Sequence, residues 1–305
     1  MPGVRVNEGG AGEPCTHMAP GAYGEPDAGT ALHLPAHLAS GPNAAAWAHP
    51  GRLPLVLLHG MGSTASVWLP QLEHFGRTRR VLAWTMPGYG ASPAFPELSW
   101  PALADALAAL ANAQGLARFH LLGHSIGGMV AQVFAQRHPG RLASLVLSAT
   151  SAGFGAASPA WKAEFLRQRE EPLAAHASFA EAAPQMLARF CAPCITPARR
   201  ALAELSASGI EKDAYLRAMR LLLTFDGAAQ LAQLEMPVLL VAGSTDEQAP
   251  LKAQQRLLAH LPQGRLAVLE GLNHMANLED PERFNACVEA FVNEVESANT
   301  ASAGT

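Results

Sequence analysis

From Arg52 onward the chain alternates between short, unbroken apolar runs and longer segments whose apolar residues recur at helical spacing. LPLVLLHG is followed by SVWLPQLEHF, RRVLAW by SWPALADALAALANAQ, and FHLLGHS by IGGMVAQVFAQRHP. A continuous apolar run leaves no face for water, so these strands are expected to be covered on both sides, as crossover helices cover a parallel sheet. Ser99, followed by Trp100 and Pro101, reads as a helix start with a serine cap and proline in the first turn. After LASLVLSAT the rhythm stops at Ser151. From there to Glu235 the apolar spacing is mostly helical, in WKAEFLRQ, FAEAAPQMLARF and DAYLRAMRLLLTF, with no good parallel-strand run. Strand character returns at MPVLLVAG and RLAVLE, and DPERFNACVEAFVNEV closes the chain as an amphipathic helix. The pattern predicts an α/β fold, a mostly parallel sheet flanked by helices and interrupted by a helical insertion.

Outside this region the pattern weakens. Residues 1–30 are dense in Gly, Pro and Ala without a period and are expected to form a flexible tail. TALHLPAHLASGPNAAAWAHPG suggests a hairpin turning at Gly41-Pro42-Asn43, although alanine and proline are poor strand material. The expected organisation is a first core segment over 31–150, a helical cap over 151–235, a second core segment over 236–297 and a short tail over 298–305.

Composition narrows the partners. The 305 residues bury a sizeable core, only 15% are charged against a usual share of about a quarter, and the net charge is −4. No basic surface for nucleic acid or anionic membrane is expected. The longest apolar runs fall short of the roughly 18 residues of a spanning helix, and MPGVRVNEGG lacks the apolar core of a secretory signal. Four scattered cysteines make no disulfide framework. CAPC, from Cys191 to Cys194, has redox spacing but no thioredoxin-like setting and reads as a loop. These features describe a soluble cytoplasmic protein, monomer or homodimer, acting on a small molecule.

The chemistry starts at FHLLGHSIGGMV, where an apolar strand ends in a serine boxed by Gly123 and Gly127 and a helix follows at once. Gly-x-Ser-x-Gly on a strand-turn-helix is a nucleophile elbow, so tight that bulky neighbours clash and the hydroxyl of Ser125 stands exposed. The helix that follows points its N-terminal N–H groups at developing negative charge. A serine hydroxyl needs a base, and His274, in the loop after RLAVLE, belongs to the same carboxyl edge of the sheet. His124 adjoins the serine but is expected to point away from it, His59 to organise its own loop, and His138 to close a helix. The imidazole needs a carboxylate to fix its tautomer. Asp246 follows the strand PVLLVAG. Glu247 is its neighbouring competitor and Asp226 a second choice, while Asp280 is explained as a helix cap before Pro281. The oxyanion donors are expected to be the backbone N–H of Ile126 and, in HGMGSTASVW, that of Met61, each such donor being worth about 3–4 kcal/mol of barrier.

Over roughly Leu53 to Val295 the sequence resembles the α/β-hydrolase superfamily, through LLHGMGSTASVW, AWTMPGYGASP, LLGHSIGGMVAQVFAQRHPGRLASLVL, LLVAGSTDEQAP and LNHMANLEDPERF. It is most similar to the 3-oxoadipate enol-lactonase-like and related esterase members. That resemblance implies a sheet of the eight-stranded type, a helical cap between the sixth and seventh strands, and Ser125, Asp246 and His274 as nucleophile, acid and base. It implies cleavage of a carboxylic ester or lactone of a small, largely apolar substrate through an acyl-enzyme, with no metal or organic cofactor. Thr85 departs from the family pattern, standing in AWTMPGYG where relatives often carry an acidic or amide residue. A carbon–carbon bond hydrolase or a cofactor-independent oxygenase or peroxidase-type member is the alternative that keeps the same residues, and a non-catalytic binder the third. Cap residues expected to line a pocket are Phe154, Trp161, Phe165, Met186, Phe190, Tyr215, Met219 and Phe225. Packing between cap helices is the competing role for each. Arg167, Arg189 and Arg217 are the cations considered for a substrate carboxylate.

Overall fold

The structure is a computed structural model, and it describes residues 37–40, 52–154 and 157–303. The expected N-terminal tail lies outside the described residues, as does the turn at Gly41-Pro42-Asn43. Among the described residues seven strands form one sheet: β1 (His37–Ser40), β2 (Leu55–Leu58), β3 (Val81–Trp84), β4 (Phe119–His124), β5 (Leu142–Ser148), β6 (Val238–Gly243) and β7 (Gly264–Leu269). Their order is β1-β3-β2-β4-β5-β6-β7. Every pairing from β3 to β7 is parallel and only β1 runs antiparallel, on β3. All residues of β2 to β6 are buried, as unbroken apolar runs require when helices cover both faces.

Helices α1 (Leu69–Phe75), α2 (Trp100–Ala113) and α3 (Ile126–Arg137) connect the first strands. Ser99 caps α2, its Oγ accepting the Ala102 N–H at 3.3 Å, with Pro101 in the first turn. Between β5 and β6 stand the four helices of the insertion, α4 (Pro159–Ala174), α5 (Phe179–Leu187), α6 (Pro197–Ser208) and α7 (Lys212–Leu222). The amphipathic reading of the sequence picked out α4, α5 and α7 but passed over α6. Its start is nonetheless marked, by Thr196, whose hydroxyl accepts the Arg199 N–H at 3.4 Å, and by Pro197. After β6 come α8 (Leu251–Leu258), the short α9 (Ala276–Glu279) and α10 (Pro281–Ala303). Asp280 caps α10 by accepting the Arg283 N–H at 3.0 Å. This helix runs on to Ala303, through most of what was expected to be a C-terminal tail. Side-chain hydroxyls of Ser297 and Thr300 bond back to the carbonyls of Asn293 and Glu296, which satisfies them inside the helix.

In a parallel sheet every strand presents its C-terminal end to the same edge. Here that edge carries the loops His59–Met61 after β2, Ser125 after β4, Ala149–Ser151 after β5, Asp246 after β6 and Asn273–Met275 after β7. Ligand sites of open α/β sheets form along this edge.

At the opposite edge a charged cluster ties α10 to the sheet. Glu296 accepts from Arg79 Nη1 at 2.7 Å and from the Leu53 N–H at 2.8 Å. His120, fully buried, lies 3.3 Å from the same carboxylate through Nε2, with Ser144 Oγ 2.7 Å from its Nδ1. These partners make His120 a neutral Nε2–H tautomer that accepts from the Ser144 hydroxyl, in keeping with a pKa that burial lowers. Arg52 reaches Asn293 and Glu296 from outside. Burial works to raise the Glu296 carboxyl, but the hydrogen bonds from His120 and Arg79 and the charge of Arg79 outweigh it and bring it down to about 2.

A group whose folded pKa lies below its unfolded value of about 4.3 stabilises the fold fully above that value, and the contribution is lost as pH falls through the folded one. Glu296→Gln, which leaves the Arg79 guanidinium buried without its counter-charge, is expected to cost about 3–5 kcal/mol at neutral pH. The gap between variant and wild type should close between about pH 4 and pH 2. Denaturant unfolding across that range checks this, and a gap that does not change with pH would contradict it.

Candidate active site

Ser125 occupies the single residue between β4 and α3 with φ 53° and ψ −119°, a left-handed conformation that costs a non-glycine residue about 1–3 kcal/mol. The surroundings hold it there. Its N–H donates to Ser148 O at 2.9 Å, and its carbonyl accepts from Thr150 Oγ1 at 2.7 Å and from the Gly128 N–H at 3.0 Å. The flanking glycines are required by contact. A Cβ on Gly123 would lie 2.4 Å from Gly127 O, and one on Gly127 would lie 2.5 Å from Leu58 O. Only bare backbones let α3 start this close to β2 and β4. The Ser125 hydroxyl opens into a cavity and has no hydrogen-bond partner among the described residues.

The same cavity is lined by His274. Its Nδ1 donates to Asp246 Oδ2 at 2.8 Å, which assigns the proton to Nδ1 and leaves Nε2 as the basic nitrogen. Asp246 is buried, and its other oxygen accepts the N–H groups of Gln248 and Ala249 at 2.8 and 3.0 Å. Burial pushes this carboxyl up, yet the His274 charge and hydrogen bond and the two amides prevail and hold it below the usual carboxylate range. Neither competitor joins the pair: Glu247 is exposed at a neighbouring cavity, and Asp226 forms a backbone bridge with Gly153.

Two further imidazoles stand close by. His59 is fixed by Nδ1, which donates to Gly60 O at 2.8 Å, and by Nε2, which accepts the Met86 N–H at 2.9 Å. Burial lowers its pKa to about 4, so it serves as a neutral brace between two loops. His124 also lines the cavity, with its ring 4.9 Å from that of His274. Burial, reinforced by the charge of His274, pushes His124 down to about 3 and keeps it neutral. Thr85 takes up the position noted as unusual by accepting the Ala65 N–H at 3.1 Å, which holds the loop after β2.

The backbone N–H groups of Met61 and Ile126 have no hydrogen-bond partner among the described residues, Ile126 because it opens a helix and Met61 because its loop turns at Gly62, φ 79°. Met61 lines the cavity.

The cavity at Ser125 is small, about 80 Å³, and adjoins a second of about 280 Å³. Phe154, Phe165 and Phe190 line both, and Tyr215 lines the inner one. Trp161 and Met186 belong to the outer cavity only. Met219 and Phe225 line neither. Both are buried in the packing of the insertion, the competing role weighed for them. Arg167 is spent on Glu164 and Glu171 at the surface, Arg217 is exposed, and Arg189 lines the outer cavity.

Two residues at the site went unnoticed in the sequence. Arg169 lines both cavities; it falls four residues after Phe165, one helical turn along α4, which is the signal that would have exposed it. Buried Glu279 accepts the Ala192 N–H at 2.9 Å and the Asn273 N–H at 2.6 Å, so it bonds the insertion to the loop that carries His274. Nothing in local sequence distinguishes it from a surface glutamate at a helix end.

Comparison with known proteins places this geometry. A family model described as the alpha/beta hydrolase family matches residues 55–286. RutD of Pseudomonas savastanoi pv. phaseolicola, named for carbamate hydrolysis, is 31% identical over 245 residues, covering 78% of this chain and 93% of its own. 3-Oxoadipate enol-lactonase 2 of Acinetobacter baylyi is 29% identical over 262 residues, covering 82% and 92%. Among solved structures, a thermophilic esterase from Thermogutta terrifontis with malate bound superposes with a TM-score of 0.74 at 26% identity, covering 86% of this chain and 93% of that one. With a family match across most of its sheet and insertion, and with the strand order and elbow described above, this chain belongs to the alpha/beta hydrolase family.

Proposed function

We propose that the protein is a serine hydrolase that cleaves a carboxylic ester or lactone of a small, largely apolar substrate through an acyl-enzyme. The reading is carried by the buried Asp246–His274 hydrogen bond of 2.8 Å facing the cavity into which Ser125 opens. A carboxylate bonded to Nδ1 holds the imidazole in the tautomer whose Nε2 accepts a proton, and it stabilises the imidazolium formed during reaction.

In this mechanism the Ser125 hydroxyl attacks the substrate carbonyl and gives its proton to His274 Nε2, with which it comes within hydrogen-bond reach once substrate is bound. The unengaged N–H groups of Met61 and Ile126 receive the oxyanion, aided by the positive end of α3. His274 then returns the proton to the leaving alkoxide. Water, deprotonated by the same imidazole, attacks the acyl-enzyme and releases the acid. Because Asp246 is held below the usual carboxylate range, it stays ionised through this cycle. The esterase and enol-lactonase relatives support the ester and lactone assignment at the level of bond type, and the phenylalanines of the inner cavity favour an apolar acyl group.

A fluorophosphonate probe is expected to label Ser125, and Ser125→Ala to abolish labelling and lower the turnover of short aryl esters by at least about 10⁴-fold. Mass spectrometry of the labelled peptide and steady-state kinetics check both. Label on another residue, or undiminished turnover, would overturn the assignment. Asp246→Asn keeps the shape but invites the wrong imidazole tautomer, so kcat should fall by roughly 10⁴-fold while KM changes little. A loss confined to KM would show that Asp246 acts elsewhere.

A further inference from the structure

We propose that Arg169 is an anion-recognition residue of the substrate cavity, and that the substrate carries a carboxylate in addition to its scissile ester or lactone. The proposal rests on the hydrolase reading above for the reaction, but on separate observations for the charge.

Helix α4 carries two arginines in contrasting settings. Arg167, on the outer side, is held by Glu164 and Glu171, each at 2.6 Å. Arg169 faces the cavities and has no carboxylate partner among the described residues. Its guanidinium lies over the Phe165 ring at 3.5 Å. It donates only to neutral oxygens, Phe165 O at 3.2 Å and Gln248 Oε1 at 2.9 Å. Burial lowers its pKa, yet a guanidinium keeps its charge under such pressure. A partly desolvated cation without a counter-ion is a cost to the fold unless something else meets it. These two bonds leave N–H donors free for a further acceptor, in a planar fork suited to a carboxylate.

The position fits a substrate group. Arg169, Phe165 and Gln248 line both cavities and so stand where the inner one passes into the outer. Gln248 links the two functions, its side chain bonded to Arg169 and its backbone N–H to Asp246. An anion on Arg169 is therefore registered to the Asp246–His274 pair through one residue. The outer cavity also holds Glu164, Glu247 and Arg189. Glu164 is neutralised by Arg167, while exposed Glu247 repels an anion that strays outward. One guanidinium in a small apolar cavity matches the single charge of a carboxylate better than the double charge of a phosphate.

The test compares half-esters of dicarboxylic acids with neutral esters of the same length: monomethyl succinate, glutarate and adipate against methyl butanoate, pentanoate and hexanoate. Wild type should favour the half-esters in kcat/KM. Arg169→Gln should reduce the ratio of half-ester to neutral-ester kcat/KM by about 10- to 100-fold, and Arg169→Lys should restore part of it. A ratio unchanged in a folded Arg169→Gln, or a wild type that favours the neutral esters, would overturn the proposal. A second measurement is independent of turnover: calorimetric binding of monomethyl glutarate to Ser125→Ala, expected to vanish when Arg169→Gln is added. If neither ester series is hydrolysed by wild type while this binding depends on Arg169, the hydrolase reading fails and the anion site stands. If esters are hydrolysed and binding is indifferent to Arg169, the reverse holds.

Discussion

Everything at the site depends on how closely α3 approaches β2 and β4. The first turn of the helix rests on the carbonyls of Leu58 and His59 through Gly127, and on β4 through Gly123, whose missing Cβ leaves room for the Gly127 carbonyl. That contact forces the chain to reverse in one residue, which lifts Ser125 into a left-handed conformation and exposes its hydroxyl. It also brings the N–H of Ile126 next to the loop after β2, where Met61 has a second unengaged amide. The exposed hydroxyl and the free N–H at the start of α3 thus follow from two backbones that touch. The strain at Ser125 is offset by the hydrogen bonds from Thr150 and to Ser148.

Parallel strands do the rest. The ends of β6 and β7 carry Asp246 and His274 to the same rim, although the insertion separates them from Ser125 along the chain. The carboxylate is satisfied three times over, by two amides and the imidazole, which is what a buried charge requires if it is to remain a charge. A different ion cluster, around Glu296, secures the opposite edge. The sheet therefore has a polar staple at one end and polar machinery at the other, with an apolar centre between.

Much of this was legible in the sequence because it is written in local patterns. Unbroken apolar runs gave the buried strands, Ser99 and Asp280 gave helix starts, and the glycines around Ser125 gave the elbow. The insertion was visible as a break in rhythm, but its interior was harder to read. Phe154, Phe165, Phe190 and Tyr215 reach the inner cavity, Trp161 and Met186 only the outer one, and Met219 is consumed by packing, yet all are large apolar or aromatic residues on or beside helices of similar character. Which face of a cap helix meets a cavity is decided by its neighbours, not by its own spacing. For the same reason the sequence favoured Arg167 over Arg169, two residues apart and opposite in surroundings. Glu279 could not be seen at all, since its partners lie in loops that only folding brings together.

Glu279 has a mechanical corollary. It clamps Ala192 of the insertion to Asn273 beside His274, while the Met275 N–H bonds Phe190 O at 3.2 Å and the Phe190 ring lies 5.5 Å from the imidazole. Any displacement of this part of the insertion would therefore carry the loop of His274 with it. The roof over the inner cavity and the loop bearing His274 are thus tied into one piece, and the two cavities meet on the other side, between α4 and the loop after β6, where Arg169 and Gln248 stand.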